Sequence, residues 1–600
     1  MNYKAPLKDM LFVLNEVAGL AEVNALPGCL DATLDTAEAV LEENAKFCAA
    51  VVAPLNAASD REPSYWHDGQ VTTSKGFKEA FKAFAEAGWQ GVQHPPEFGG
   101  QGLPKLLATP CIEMLNSASI SFALVAMLSD GAIEALLTAG SAAQKATYLE
   151  PLIGGRWTGT MNLTEPQAGS DLPAVRTRAV PQGDATFKVF GTKIFITYGE
   201  HDLAENIIHL VLARTPDAPA GVKGISLFVV PKFLVNADGS LGERNDVHCV
   251  SIEHKLGIKA SPTAVLQFGD HGGAIGTLVG EENRGLEYMF IMMNAARFGV
   301  GMQGIGLAER AYQKAVAFAK ERVQSRGLAG SPGPVSIIHH PDVRRMLMSM
   351  RAQTEAARAL AYVGAAIGDT AHHHPDAATR AANLAVYDYL VPVIKGWSTE
   401  MSQDVTRDGV QVHGGMGFIE ETGAAQHYRD SKILTIYEGT TAIQANDLVG
   451  RKTVRDGGAV AHSIIAQVRA TEAQLARLTD GDHGANFKAI LNRLSGASSD
   501  LEVVVTYVAG TMKSDILAVF AGSVPYLKLA GIVLGGWQMA RAAIIAHNKL
   551  AAGDGERAFF EAKIGTARFF ADHLLSQASS LRIAIIEGSA GVLALTEDQF

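Results

Sequence analysis

The chain has 600 residues, 48% hydrophobic but only 7% aromatic, enough apolar material for three or four domains of closely packed helices. A formal net charge of −11 at pH 7 argues against nucleic acid or another polyanion as partner. The 4 cysteines, Cys29, Cys48, Cys111 and Cys249, lie far apart with no CxxC pair, so they read as reduced core residues of a cytoplasmic protein; neither disulfides nor a metal site is expected.

The opening segment, MNYKAPLKDMLFVLNEV, is no secretory signal, because its apolar stretch is short and Glu16 interrupts it. From Asp31 to about Gly155 the apolar spacing is helical, as in FKEAFKAFAEAGWQGV (77–92), with the turn-rich HPPEFGGQGLP (94–104) as a break. The longest uncharged apolar-rich run, Met114 to Ser129, falls short of the roughly 18 residues that mark a membrane span, so a soluble protein without integral membrane association is expected. Residues 1–158 therefore read as an N-terminal extension and a helical domain.

Over residues 159–285 the texture changes. The runs FKVFGTKIFIT (187–197), IIHLVLAR (207–214) and ISLFVVP (225–231), separated by Gly, Pro, Asp and Asn, predict a small antiparallel barrel or sandwich. Helical periodicity returns over 286–455, with Leu307, Ala308, Ala311, Tyr312, Ala315 and Ala319 on one stripe and a Gly/Ser/Pro loop from Gly327 to Pro334 ending that helix. After Asp456-Gly457-Gly458, residues 456–600 again read as helical, with no basic run; KLAGIVLGGWQMA (528–540) reads as core rather than membrane face. The fold class is mainly α with a central β domain.

Two motif blocks point to chemistry. In MNLTEPQAGSD (161–171), Thr164 and Ser170 offer hydroxyls and Gly169 lets the loop approach a flat ligand, although a Glu-Pro turn leaving a strand explains the same residues. In QVHGGMGFIEE (411–421) a Gly-Gly pair after a helix lets backbone reach a phosphate or ribose. Downstream, RDSKILTIYEGTTAIQ (429–444) reads as a helix start with Glu438 at or near the cap and Gly439 freeing the turn; the carboxylate can simply cap that helix. Glu420 and Glu421 read as solvated turn residues.

TEPQAGSD, a β-rich insert, a helical Arg-Phe-Gly, VHGGMGF and IYEGTT occur in an order that resembles the acyl-CoA dehydrogenase family from about Phe77 to Arg451. The resemblance implies a helical N-terminal domain, a β-barrel or sandwich and a four-helix bundle, here with an extra C-terminal helical domain. It implies FAD as cofactor, with Met161, Leu163, Thr164, Gly169 and Ser170 lining it and Phe195, Ile196 and Thr197 covering its ring. Many relatives have Trp where Phe195 stands; a phenyl ring keeps the apolar face.

Arg322 matches an arginine reaching the flavin pyrophosphate across a subunit interface, which implies a homodimer. Gln411, Gly414 and Gly415 match the partner-subunit segment, and Thr440 and Thr441 match phosphate contacts. Ser325-Arg326 and Pro341 depart from the family pattern near the adenine end. Ser170, Arg297 and Gly439 match the acyl-CoA side, with a structural ion pair as the rival reading of a buried Arg297.

Glu438 matches the catalytic base; the alternative base position of some members is Ala296 here. The implied reaction converts a saturated acyl-CoA to the trans-2-enoyl-CoA and passes electrons to an electron-transferring flavoprotein. The extra termini, with KERVQSRG and HHPDVRRML, resemble the subgroup that includes 3-methylthiopropionyl-CoA dehydrogenases, whose relatives handle medium or long straight chains. An acyl-CoA oxidase and a non-enzymatic DNA-associated flavoprotein are the alternative readings.

Overall fold

The computed structural model describes residues 3–553 and 555–600; Met1 and Asn2 of the opening segment lie outside them. After a short N-terminal helix, α1 (Leu7–Phe12), the first domain is built around α2 (Lys105–Ala118) and α3 (Ile120–Ala139). Asp369 from a distant helix caps α2, accepting the Lys105 and Leu106 N–H groups at 2.8 Å each. Helix α3 runs ten residues past the apolar run seen in the sequence. Asp130 and Glu134 interrupt its hydropathy but not its geometry.

The middle domain is one curled eight-stranded sheet. Its strands are β1 (Trp157–Asn162), β2 (Arg178–Pro181), β3 (Thr186–Thr197), β4 (Asn206–Ala213), β5 (Ser226–Pro231), β6 (Val247–Ile252), β7 (Thr263–Phe268) and β8 (Ala274–Val279). Their order is β6-β7-β3-β8-β5-β4-β1, with β2 on β3. The antiparallel expectation fails at one edge: β1 runs parallel to β4, Trp157 opposite Asn206 and Asn162 opposite Val211. The long β3 pairs β8 through its first half and β7 through its second. It turns at Gly191, where a Cβ would lie 2.5 Å from Thr177 Oγ1.

Three long helices follow: α4 (Gly285–Glu321), α5 (Pro341–His373) and α6 (Ala377–His413), with α6 packed along both others. The loop expected to end α4 is present but set back from the helix by a hairpin, in which Val323–Arg326 pairs antiparallel with Pro334–Ser336. The glycine-rich residues form only its tip. A short helix, α7 (Thr441–Asp447), leads through a π-turn into the C-terminal helices α8 (Ala459–Leu475), α9 (Gly484–Thr511), α10 (Ser523–Ala551) and α11 (Arg557–His573).

Helices α3 and α10 are long and apolar enough to cross a membrane, but 78% and 83% of their most apolar windows are buried inside the fold, which makes them core helices. Gly531 and Gly535 let α10 close on α6: a Cβ at either would come within 2.2 or 2.6 Å of Trp397.

A buried charge cluster ties the two ends of the chain to the bundle. The Arg358 guanidinium on α5 meets Asp9 of α1 at 2.6 Å, Glu113 of α2 at 2.5 Å and Glu309 of α4 at 2.8 Å. Lys563 of α11 meets Glu355 at 2.9 Å and also contacts Asp9. Each ion is nearly solvent-free, so the cluster holds only while its partners stay paired.

Candidate active site

Between a 3-10 turn at Lys432–Thr435 and α7, the chain turns sharply through Tyr437, Glu438 and Gly439. Glu438 has φ +54° and Gly439 φ +87°; the left-handed region is ordinary for glycine and strained for glutamate. The capping role open to Glu438 in the sequence belongs to Thr440, whose hydroxyl oxygen accepts the Ile443 N–H at 3.2 Å. Glu438 therefore stands two residues before the cap. Its carbonyl accepts from Gln444 Nε2 at 3.2 Å, and among the described residues nothing hydrogen-bonds its carboxylate.

Two cations stand near that half-buried carboxylate. Burial pushes the Glu438 carboxyl above the usual carboxylate range, while Lys395 and Arg297 pull it back. Lys395, fully buried on α6, donates to the Leu434 carbonyl at 2.8 Å and the Gly439 carbonyl at 2.7 Å. Arg297 on α4 is buried and committed to Asp447 of α7, Nη1 to Oδ2 3.0 Å. Its Nε has no hydrogen-bond partner among the described residues. The ion-pair alternative for Arg297 is therefore realised, with one donor left over.

On β3, Lys193 is opposite Leu266 and Ile196 opposite Ala264, so Ile194 and Phe195 share the single place of Val265. This bulge turns Phe195 outward, with φ +60° and 58% exposure. Ile196 departs from expectation: its side chain lies in the sheet core, leaving only backbone to cover a ring, while Thr197 is half-buried. Met161 likewise points into the core. Leu163 and Thr164 are half-buried, and Gly169 and Ser170 are exposed.

Glu165 holds this loop. It pairs with buried Lys193 at 2.8 Å and accepts the Arg176 and Thr177 N–H groups at 2.8 and 3.0 Å. Although burial works against the charge, those partners bring the Glu165 carboxyl down to about 2.

At the far end of the bundle Phe318 stacks on His413, ring centroids 4.5 Å apart, which brings the last turns of α4 and α6 together. Arg322 ends one and Gln411, Gly414 and Gly415 end the other; all four are exposed. Arg322 Nη2 donates to Gln324 Oε1 at 2.8 Å. A Cβ at Gly169, Gly414 or Gly415 would meet nothing within 4 Å. Thr441 is buried and its hydroxyl donates to Glu400, so that hydrogen is committed inward rather than to a ligand. Thr440 keeps a half-buried hydroxyl.

A cavity lies between α3 and α4, lined by Ala123, Ala126 and Met127 on one side and Ala295, Phe298 and Gly299 on the other.

Four domain models tile the chain: acyl-CoA dehydrogenase N-terminal domain over 35–156, middle domain over 160–271, C-terminal domain over 283–452, and acetyl-CoA dehydrogenase C-terminal like over 464–596. The chain is 51% identical to 3-methylmercaptopropionyl-CoA dehydrogenase of Ruegeria pomeroyi over 97% of both sequences. The chain belongs to the acyl-CoA dehydrogenase family. This acyl-CoA dehydrogenase is also 36% identical, over 100% of both chains, to the broad-specificity linear acyl-CoA dehydrogenase FadE5 of Mycobacterium tuberculosis. Caenorhabditis elegans ACDH-11, solved with C11-CoA, shares the fold at TM-score 0.76 and 18% identity, over 98% of this chain and 96% of that one. A Bacillus anthracis acyl-CoA dehydrogenase complexed with FAD does so at TM-score 0.73 and 21% identity, over 96% of this chain and 91% of that one. FAD-dependent dehydrogenation of an acyl-CoA is the family's function.

Several residues that shape this acyl-CoA dehydrogenase's site escape sequence reasoning. Lys395 leaves one trace, a lone charge in the apolar run YLVPVIKGW. Asp447 and Lys193 leave none, because their partners lie 150 and 28 residues away.

Proposed function

We propose that this chain binds FAD and uses Glu438 to remove the α-proton of a saturated acyl-CoA, giving the trans-2-enoyl-CoA. The Glu438 turn carries this reading: a partly desolvated carboxylate, without a hydrogen bond among the described residues, stands on strained backbone with its protonation tuned by two cations. The surfaces assigned to FAD suit it. Phe195 offers an exposed apolar face, Gly169, Gly414 and Gly415 offer backbone that a ligand can approach closely, and Arg322 offers an exposed fork for a diphosphate. FAD, when bound, supplies the acceptor for the β-hydride. Glu438 takes the α-proton, and its own backbone N–H is the donor for the thioester oxygen as negative charge develops there. A carboxyl raised above its usual range is the stronger base once ionised.

Arg322, Gln411, Gly414 and Gly415 lie open in a single chain, which supports completion of the FAD site by a second copy in a homodimer. The electron acceptor is an electron-transferring flavoprotein, and the buried free cysteines suit a cytoplasmic setting.

For the substrate, the 51% relative supports 3-methylthiopropionyl-CoA, with medium- or long-chain linear acyl-CoAs as the next class. Anaerobic mixing of the flavin-loaded protein with an acyl-CoA series, read as flavin bleaching, tests reaction and substrate together. Rapid bleaching by 3-methylthiopropionyl-CoA is expected; no bleaching by any member would refute the reading.

A further inference from the structure

Lys395 sits where few lysines can. It is fully buried in the middle of α6, in the run Val391-Pro392-Val393-Ile394-Lys395-Gly396-Trp397, every member of which is buried. An ammonium in such a place is expensive unless its protons are used. Two are accounted for, one on the Leu434 carbonyl at 2.8 Å and one on the Gly439 carbonyl at 2.7 Å. Those carbonyls bracket Tyr437 and Glu438. Gln444, also fully buried, adds bonds at 3.2 Å to the carbonyls of Glu438 and Gly439.

The strained residue thus lies inside a clamp. A glutamate at φ +54° persists only where surrounding contacts over-determine it, and these bonds are those contacts. We propose that Lys395 is a positioning residue for Glu438, its buried amine fixing the two carbonyls that bracket the base and so holding the carboxylate at the reacting carbon. The proposal rests on Glu438 being the base.

The same amine has an electrostatic consequence. The charged groups acting on Glu438 are Lys395 from α6 and Arg297 from α4. Those acting on Lys395 are Glu438, Arg297 and Glu400. Arg297 is itself held by Asp447 and felt by Arg451. Burial brings the Lys395 amine down to about 7, so on the acid side of that value it is a cation opposing the burial penalty on Glu438. Without it the Glu438 carboxyl rises further, and the rate must climb at a higher pH.

The test is the pH profile of anaerobic flavin reduction by a saturated acyl-CoA in flavin-loaded Lys395→Met and Lys395→Arg enzymes, beside wild type and Glu438→Gln. Lys395→Met is expected to lose at least ~10-fold in limiting rate with KM little changed, and to move the rising limb to higher pH. Lys395→Arg, which keeps a charge, is expected to leave the limb near its wild-type place. A wild-type pH profile in Lys395→Met would overturn the proposal, as would failure of both variants to fold with flavin, which would make Lys395 a folding determinant. Undiminished reduction in Glu438→Gln would instead remove the base on which it rests; loss there with an unshifted Lys395→Met profile sinks only the clamp.

Discussion

Arg297 and Asp447 form a buried ion pair, 3.0 Å between Nη1 and Oδ2, that joins the long helix α4 to α7 immediately after the Glu438 turn. Asp447 also accepts from Arg451 Nε at 2.6 Å, so one carboxylate serves two guanidiniums. Removing it leaves Arg297 buried and unpaired. Asp447→Ala is expected to lower stability by about 3–5 kcal/mol, the cost of stranding a buried partner. Chemical denaturation of the flavin-loaded protein measures this; a change within error would mean that Arg297 finds another partner.

Glu165 gives a pH-dependent prediction. Its carboxyl titrates at about 2 instead of 4.5, so the folded state binds fewer protons than the unfolded one between those values. Its stabilisation is complete above about 4.5 and is lost as the pH falls through about 2. Glu165→Gln should therefore be less stable than wild type at neutral pH, with the gap closing across that acid window. A gap that persists unchanged to the acid end would show that packing, not charge, is what Glu165 contributes.

Arg322 is exposed, and its only side-chain hydrogen bond among the described residues is to Gln324 two residues on, so removal of the side chain should not harm the fold. Arg322→Ala is expected to keep wild-type thermal stability as apoprotein yet release flavin on dialysis. Full flavin retention would place the diphosphate elsewhere.

Lys563 anchors the C-terminal helices through Glu355 and Asp9. Lys563→Met preserves much of the volume but leaves those carboxylates short of a cation. Limited proteolysis should then cut within residues 456–600 faster than in wild type. Unaltered cleavage would assign the attachment of these helices to apolar packing alone, such as Trp397 against Gly531 and Gly535.

How much of this was legible in the sequence follows the range of each interaction. The strands 187–197, 207–214 and 225–231 announce themselves because short runs of β-branched and apolar residues bounded by Gly, Pro, Asp and Asn are local signals; the parallel β1–β4 pairing does not, because register between distant strands has no local mark. Helix α3 reads short because Asp130 and Glu134 sit within it. Asp130 is satisfied by His94 at 2.7 Å and Gln93 at 2.9 Å, partners that a hydropathy window does not see. Glu438 is visible by motif, but its left-handed backbone is not. Glutamate there is held by Lys395, 43 residues earlier, and Gln444, neither of which the local sequence identifies. Ile196 and Met161 look like equal members of their motifs until the bulge and the sheet core separate side chains that face in from those that face out.

Glu438→Gln tests the central claim most directly. The substitution keeps size and backbone but removes the group that accepts the α-proton. In single-turnover anaerobic mixing with a saturated acyl-CoA, the variant is expected to bind flavin and ligand normally and to reduce flavin at least ~10²-fold more slowly than wild type. Reduction at the wild-type rate would contradict the assignment of Glu438 as the base.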